Sequence, residues 1–319
     1  MSSWEQLAEL PLQIEEYSLE PLEAQVSSEF TRKTTVIHLR GAGAEGIGED
    51  VTYDALDHEI LQAAGAVLPL AGRFTIASFS DHLATLSLFE EPPQREVSQR
   101  YRTWAYESAA LDLALRQADA SLHSVLGRAP EPVSFVVSLR LGEPPSIDPV
   151  RRRLELYRGL RFKLDPTSSW GERLIGELVA TGAVDSVDFK SFYTGTIVDQ
   201  PVDPPLYERV VEAFPNAWIE DPALTAETEP ILAAHRDRLS WDAPIHSIED
   251  IQSLPYPPRM VNIKPSRLGG LRNLLDAYDF CAAVVADVAP AAFNMPLPPA
   301  GLPASPLAPA PSPSGFRWG

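Results

Sequence analysis

The chain has 319 residues, 45% hydrophobic and 22% charged, with a formal net charge of −18. That length allows one large domain and a smaller one with a substantial core, and the acidic balance argues against nucleic acid or an anionic membrane as partner. The lone cysteine, Cys281, excludes an intrachain disulfide, no signal-peptide pattern follows Met1, and no run approaches the roughly 20 apolar residues of a membrane span. A cytoplasmic protein is expected.

Residues 11–52 read as antiparallel strands. Leu12 to Leu19 alternates, and Thr34 to Arg40 is rich in β-formers. The stretch from Gly41 to Gly48 lacks the Lys-Ser/Thr and the following helix of a phosphate loop, so it predicts a hairpin turn. Helical spacing covers 54–66, 79–88 and, most clearly, 101–126. In that last helix Ala105, Ala109 and Ala110 predict close packing, and Gly127 serves as C-cap. Strands followed by helices indicate an α+β domain over 1–128.

From Pro132 the pattern becomes strict strand–helix alternation. Strands are predicted at 133–139, 160–164, 184–189, 217–220, 239–242 and 260–264. The helices fall at 148–157, 171–182, 205–214, 226–236, 247–253 and 269–282. Six βα units imply a parallel sheet. The class is α/β, a (β/α)8-type barrel rather than a doubly wound sheet, because no Gly-rich dinucleotide turn follows the first strand. The barrel is cut short after its sixth βα unit, spanning 129–283. Residues 284–319 are Pro/Ala-rich and read as a disordered tail, arising from a shift of reading frame or from divergence.

Five predicted strands end in a Lys or a carboxylate: Lys163, Asp188, Glu220, Asp242 and Lys264, separated by 25, 32, 22 and 22 residues. Each interval is about one βα repeat, so each strand delivers one residue to the C-terminal end, where barrel sites lie. Any one of them is more often a solvated or salt-bridged strand end; the ordered set carries the argument. Three convergent carboxylates in a partly buried mouth need a cation, and hard oxygen ligands suit Mg2+. A lysine on either side could then take a proton from the carbon beside a substrate carboxylate.

With these residues in place the sequence resembles the enolase superfamily over about residues 10–282. The likeness is to the mandelate racemase/muconate-lactonizing-enzyme family, in the subgroup that includes o-succinylbenzoate synthases and N-acylamino acid racemases. The run from Tyr106 to Leu115 is similar to the last helix of that family's capping domain. Arg161-Phe-Lys163 stands at its Lys-x-Lys, Asp188, Glu220 and Asp242 at its Mg2+ ligands, and Asn262 to Gly270 at its sixth-strand Lys motif. The resemblance implies an N-terminal capping domain over the barrel mouth, Mg2+ as cofactor, Lys163 and Lys264 as the acid/base pair, and a small carboxylate substrate. Dehydration of the o-succinylbenzoate synthase type ranks first, then racemisation or cycloisomerisation. Arg161, Lys190 and Asn262 are further candidates for contact with substrate or with the ligands. A homo-oligomer is left open.

The departures favour a second reading, a non-catalytic or damaged relative acting as a binding protein or not at all. Two βα units are missing, Arg161 cannot be a base at neutral pH, and Ala243 replaces an acid. Lys190, two residues after Asp188, is placed to pair with a ligand carboxylate and weaken the metal. A carboxylate hydrolase using Glu220 and Asp242 ranks third, because it has no use for the two lysines.

Overall fold

In the computed structural model, which describes residues 1–27, 30–130, 132, 134–196 and 199–286, the chain opens with α1 (Ser3–Leu7), capped by a reciprocal Ser2–Glu5 box. The alternating run that begins at Leu12 is divided at Glu15, where the pairing partner changes. β1 (Pro11–Ile14) pairs antiparallel with β5 (Gly72–Thr75). β2 (Glu16–Ser27) joins β3 (Phe30–Gly41) and β4 (Ala44–Asp50) in a three-stranded antiparallel meander. The β3–β4 turn is Ala42-Gly43, both with left-handed φ (49° and 77°), as a tight hairpin requires.

Helices α2 (Ala55–Ala64), α3 (Ile76–Ala84), α4 (Ser98–Gln117) and α5 (Leu122–Val125) complete this half. The long helix expected over 101–126 is therefore two. Asp119 takes a left-handed φ of 50°, which ends α4, and Ser121 caps α5 afresh. Close packing of α4 has a concrete cause. A Cβ added to Gly48 would lie 2.0 Å from the Ala105 carbonyl oxygen, and one on Gly46 would lie 2.3 Å from that of Ala109. Small residues on both partners let the helix backbone rest on β4.

The second half contains β6 (Val136–Leu139), β7 (Arg161–Leu164), β8 (Val184–Asp188), β9 (Trp218–Glu220), β10 (Leu239–Trp241) and β11 (Met260–Val261). They form one six-stranded sheet in sequence order, every pair parallel. Between and after them run α6 (Asp148–Leu156), α7 (Glu172–Thr181), α8 (Pro204–Ala213), α9 (Glu229–Leu232), α10 (Ile248–Gln252), α11 (Pro265–Leu268) and α12 (Leu271–Ala286). The helix expected at 226–236 is only the single turn of α9 followed by a 3-10 segment, with His235 out of helical geometry. The expected strand 260–264 is regular for two residues. Gly269, at φ 84°, splits the expected last helix into α11 and α12, and α12 runs on to Ala286, past the boundary expected at 283. Residues 287–319, the rest of the expected tail, lie outside the described residues.

Alternation along these strands gives the sheet two unlike faces. Phe162, Leu164, Val187, Ile219, Trp241 and Val261 are all buried in the main apolar cluster with helix residues such as Leu178, Val210 and Leu274. Each such side chain contributes about 1.5–3 kcal/mol through burial. The opposite face is mostly polar, with Ser138, Lys163, Ser186, Glu220 and Ser240 at alternating positions.

Three contacts tie the halves together. On α4, Arg100 donates to the His246 carbonyl at 3.2 Å, and the buried Glu107 carboxylate accepts the Leu271 N–H at the start of α12. On α12, Asp279 accepts from the Ser3 N–H and hydroxyl, both at 2.6 Å, and from Arg128 at 2.8 Å. Burial pushes the Asp279 carboxyl up, but Ser3 and Arg128 outweigh it and hold it below the usual range. A depressed carboxylate adds stability that is complete above its unfolded value, about pH 4, and fades as pH falls through the folded value. Asp279→Ala should cost about 2 kcal/mol at neutral pH. Its stability measured by urea unfolding should approach wild type in acid; an equal deficit at all pH values would contradict this.

Candidate metal and active site

Because neighbouring strands are parallel and in sequence order, their C-terminal tips lie side by side, with Asp188 in register with Glu220 and Glu220 with Ser240. The Lys163 ammonium reaches across from β7 to sit 2.9 Å from Asp188 Oδ2 and in contact with Glu220 Oε1. Just past β8 the chain turns through Lys190, whose φ is 55°. This turn brings Lys190 back onto Asp188: its N–H donates to Oδ1 at 3.1 Å and its ammonium contacts Oδ2. Lys190 Nζ is also 4.0 Å from Asp165 Oδ1.

At the far side, Lys264 Nζ lies 2.7 Å from Asp242 Oδ2 and Arg267 Nη1 lies 2.9 Å from Oδ1. Tyr193 donates to Oδ2 at 3.4 Å. The two lysines thus flank the carboxylates from opposite edges, Lys163 almost enclosed and Lys264 42% exposed. Asp221, fully buried at φ 47°, accepts the Asp242 N–H at 2.8 Å and the Ala243 N–H at 2.9 Å. It pins the turn that presents Asp242.

The charges perturb one another strongly. Burial alone would lower Lys163, but Glu220, Asp188 and Asp242 outweigh it and hold the ammonium above the ordinary lysine range. Burial raises Glu220 to about 8, with Asp188 and Asp242 adding to it against Lys163. Burial also acts on Asp188, yet Lys163 and Lys190 bring it below the usual range; Lys264 and Arg267 do the same for Asp242. Asp165 and Asp221 are each pushed up to about 6, chiefly by burial.

Among the described residues, the group of carboxylates able to hold a metal ion is Asp188, Glu220 and Asp221, whose ligand oxygens lie within 4.8 Å of one another. Asp242 is not in this set; its oxygens pair with Lys264, Arg267 and Tyr193. Three hard, buried carboxylate oxygens are the donor chemistry that Mg2+ takes, so the residues present fit such an ion.

The further candidates separate. Lys190 belongs to the cluster. Arg161 stands apart, paired with Asp185 and the Gly182 carbonyl near the start of β7 and β8. Asn262 is placed by its N–H, which donates to the Trp241 carbonyl at 2.8 Å and continues the β10–β11 register. Sequence reasoning passed over Asp165, Asp221, Tyr193 and Arg267. Arg267 had a readable signal, standing three residues after Lys264 at the start of a helix.

The fold is similar to that of solved enolase-superfamily structures. Muconate lactonizing enzyme from Pseudomonas putida is 19% identical, with a TM-score of 0.55, covering 85% of this chain and 78% of that one. A probable mandelate racemase from Alicyclobacillus acidocaldarius is 18% identical (TM-score 0.60; 85% and 76% covered). A putative mandelate racemase/muconate-lactonizing enzyme from Roseovarius nubinhibens, complexed with magnesium, is 17% identical (TM-score 0.59; 85% and 77% covered). No curated protein matches the sequence. The chain itself belongs to the family described as domain of unknown function DUF8230, with the N-terminal domain matched over residues 5–125 and the C-terminal domain over 129–288. No described helix is long and apolar enough to cross a membrane.

Proposed function

We propose that this protein is a Mg2+-dependent lyase or isomerase that removes the α-proton of a small carboxylate substrate, with Lys163 and Lys264 as the acid/base pair. The observation that carries this is the pair of lysines on opposite flanks of one buried carboxylate cluster. Asp188 and Glu220 would hold the ion, with the third carboxylate from Asp221 as the side chains stand. The ion when bound would supply positive charge that stabilises an enolate and draws negative charge away from Lys163.

On the protein's side, one lysine, as the free amine, takes the α-proton while the C–H electron pair stays on the substrate. In a racemisation the opposite lysine, as ammonium, returns a proton to the other face of the carbon; in a syn dehydration the lysine that took the proton returns it to the hydroxyl departing from its own face. Lys163 serves poorly as the base while Glu220 and Asp188 hold its proton. The more exposed Lys264 has fewer constraints. Arg100 on α4 donates to the Arg267 carbonyl at 3.5 Å, so the N-terminal half reaches the residues holding Asp242, which supports its reading as a cap over a barrel cut short after six units. Dehydration of the o-succinylbenzoate synthase type remains the first reaction to assay.

The test is exchange in deuterium oxide. N-acylamino acids incubated with the protein and Mg2+ should lose their α-proton signal by NMR, and excess chelator should stop the loss. Exchange indifferent to chelator would overturn the metal-dependent assignment.

A further inference from the structure

The occupancy of Asp188 sets this site apart. Both of its oxygens are engaged by one residue, Lys190, through its N–H and its ammonium, while Lys163 adds a second ammonium to Oδ2. Lys190 holds this position from a left-handed backbone conformation that costs a residue with a Cβ about 1–2 kcal/mol. Close by, Asp165 is 95% buried, being 5% exposed, and its Oδ1 accepts no hydrogen bond. Lys190 Nζ stands 4.0 Å from that oxygen, and Arg140 Nε 3.7 Å from Oδ2. A buried carboxylate oxygen without a hydrogen-bond donor, 4.0 Å from an ammonium on a four-carbon stem, is a receiving position.

We propose that Lys190 is a tethered cation that occupies Asp188 in competition with a divalent metal and moves onto Asp165 when the metal enters. This rests on the reading of Asp188 as a metal ligand. The physical reason is charge. Two ammonium groups and a divalent ion cannot share one carboxylate without strong repulsion; the other partner of Lys163, Glu220, belongs to the same carboxylate group, whereas the second carboxylate near Lys190, Asp165, lies outside it. The metal's affinity is then set by the exchange of Lys190 between two buried acids, and Asp165 is a positioning residue acting through Lys190.

The experiment is a calorimetric Mg2+ titration of the full chain and a small set of variants. Lys190→Asn suits the left-handed position, because asparagine tolerates it; Lys190→Met offers the metal no oxygen. Both should bind Mg2+ about tenfold more tightly than wild type. Lys33→Gln, which removes a surface charge elsewhere, should leave the affinity unchanged. Asp165→Asn should weaken binding in the wild-type background and have no effect in the Lys190→Asn background. Equal affinity for wild type, Lys190→Asn and Lys190→Met, with binding abolished in Asp188→Asn, would overturn the Lys190 inference and leave the metal site standing. Absence of binding in every folded variant, checked by circular dichroism, would instead overturn the metal site and the inference with it.

Discussion

Lys163→Ala and Lys264→Ala should each abolish exchange of the substrate α-proton, with losses of about 10²–10⁴-fold. Simple loss of charge has to be separated from loss of a proton carrier, because Lys163 also neutralises Asp188 and Glu220. Lys163→Arg makes that separation: the guanidinium keeps the charge but holds its proton at any neutral pH. Chemistry at Lys163 predicts that the Arg variant folds, melts near the wild-type temperature and still fails to exchange. A Lys163→Arg protein with near-wild-type exchange would reduce Lys163 to an electrostatic partner. The same comparison at Lys264 is cleaner, because among the described residues its side chain is ion-paired with Asp242 and it is 42% exposed. Exchange retained in both alanine variants would remove the assignment altogether.

Asp221→Ala should destabilise the fold by about 2–4 kcal/mol, because it orphans the buried N–H of Asp242 and the partly buried N–H of Ala243 together. For a chain of this size that is a fall in melting temperature of roughly 3–6 °C. Asp221→Asn should lose about half as much. Its amide oxygen can still accept one of the two bonds, and asparagine tolerates the left-handed φ of 47°. An Asp221→Ala protein that melts with the wild type would show that the Asp242 turn is held by Lys264 and Arg267 instead.

Much of this architecture was legible in the chain. Alternating βα grammar from Pro132 onward predicts a parallel sheet, and the strands appear in sequence order where expected. The period-2 pattern of β7 and the one-per-strand spacing of Lys163, Asp188, Glu220, Asp242 and Lys264 put charged residues at strand tips, because parallel strands joined by helices must all end on the same side. Small residues along α4 announced that something would approach closely, and the glycines of β4 proved to be that partner.

Other features depended on contacts between residues far apart in the chain. The single long helix over 101–126 broke at Asp119, whose left-handed conformation is a local choice that apolar spacing does not encode. Asp221 looked like an ordinary acidic turn beside Glu220; its importance comes from amides 21 and 22 residues later that only the sheet brings within reach. Side-chain direction likewise decides which carboxylates stand together: the oxygens of Asp188, Glu220 and Asp221 lie within 4.8 Å of one another, while Asp242, at the expected strand end, pairs with Lys264 and Arg267.

Lys190 illustrates both halves. Its two-residue offset from Asp188 predicts a shared side and a pairing, because strand side chains alternate. The waiting acceptor, Asp165, lies 25 residues away at the end of a different strand. Periodicity along the chain determines which face a residue takes; only the packing of strand on strand determines which opposite charge it meets there.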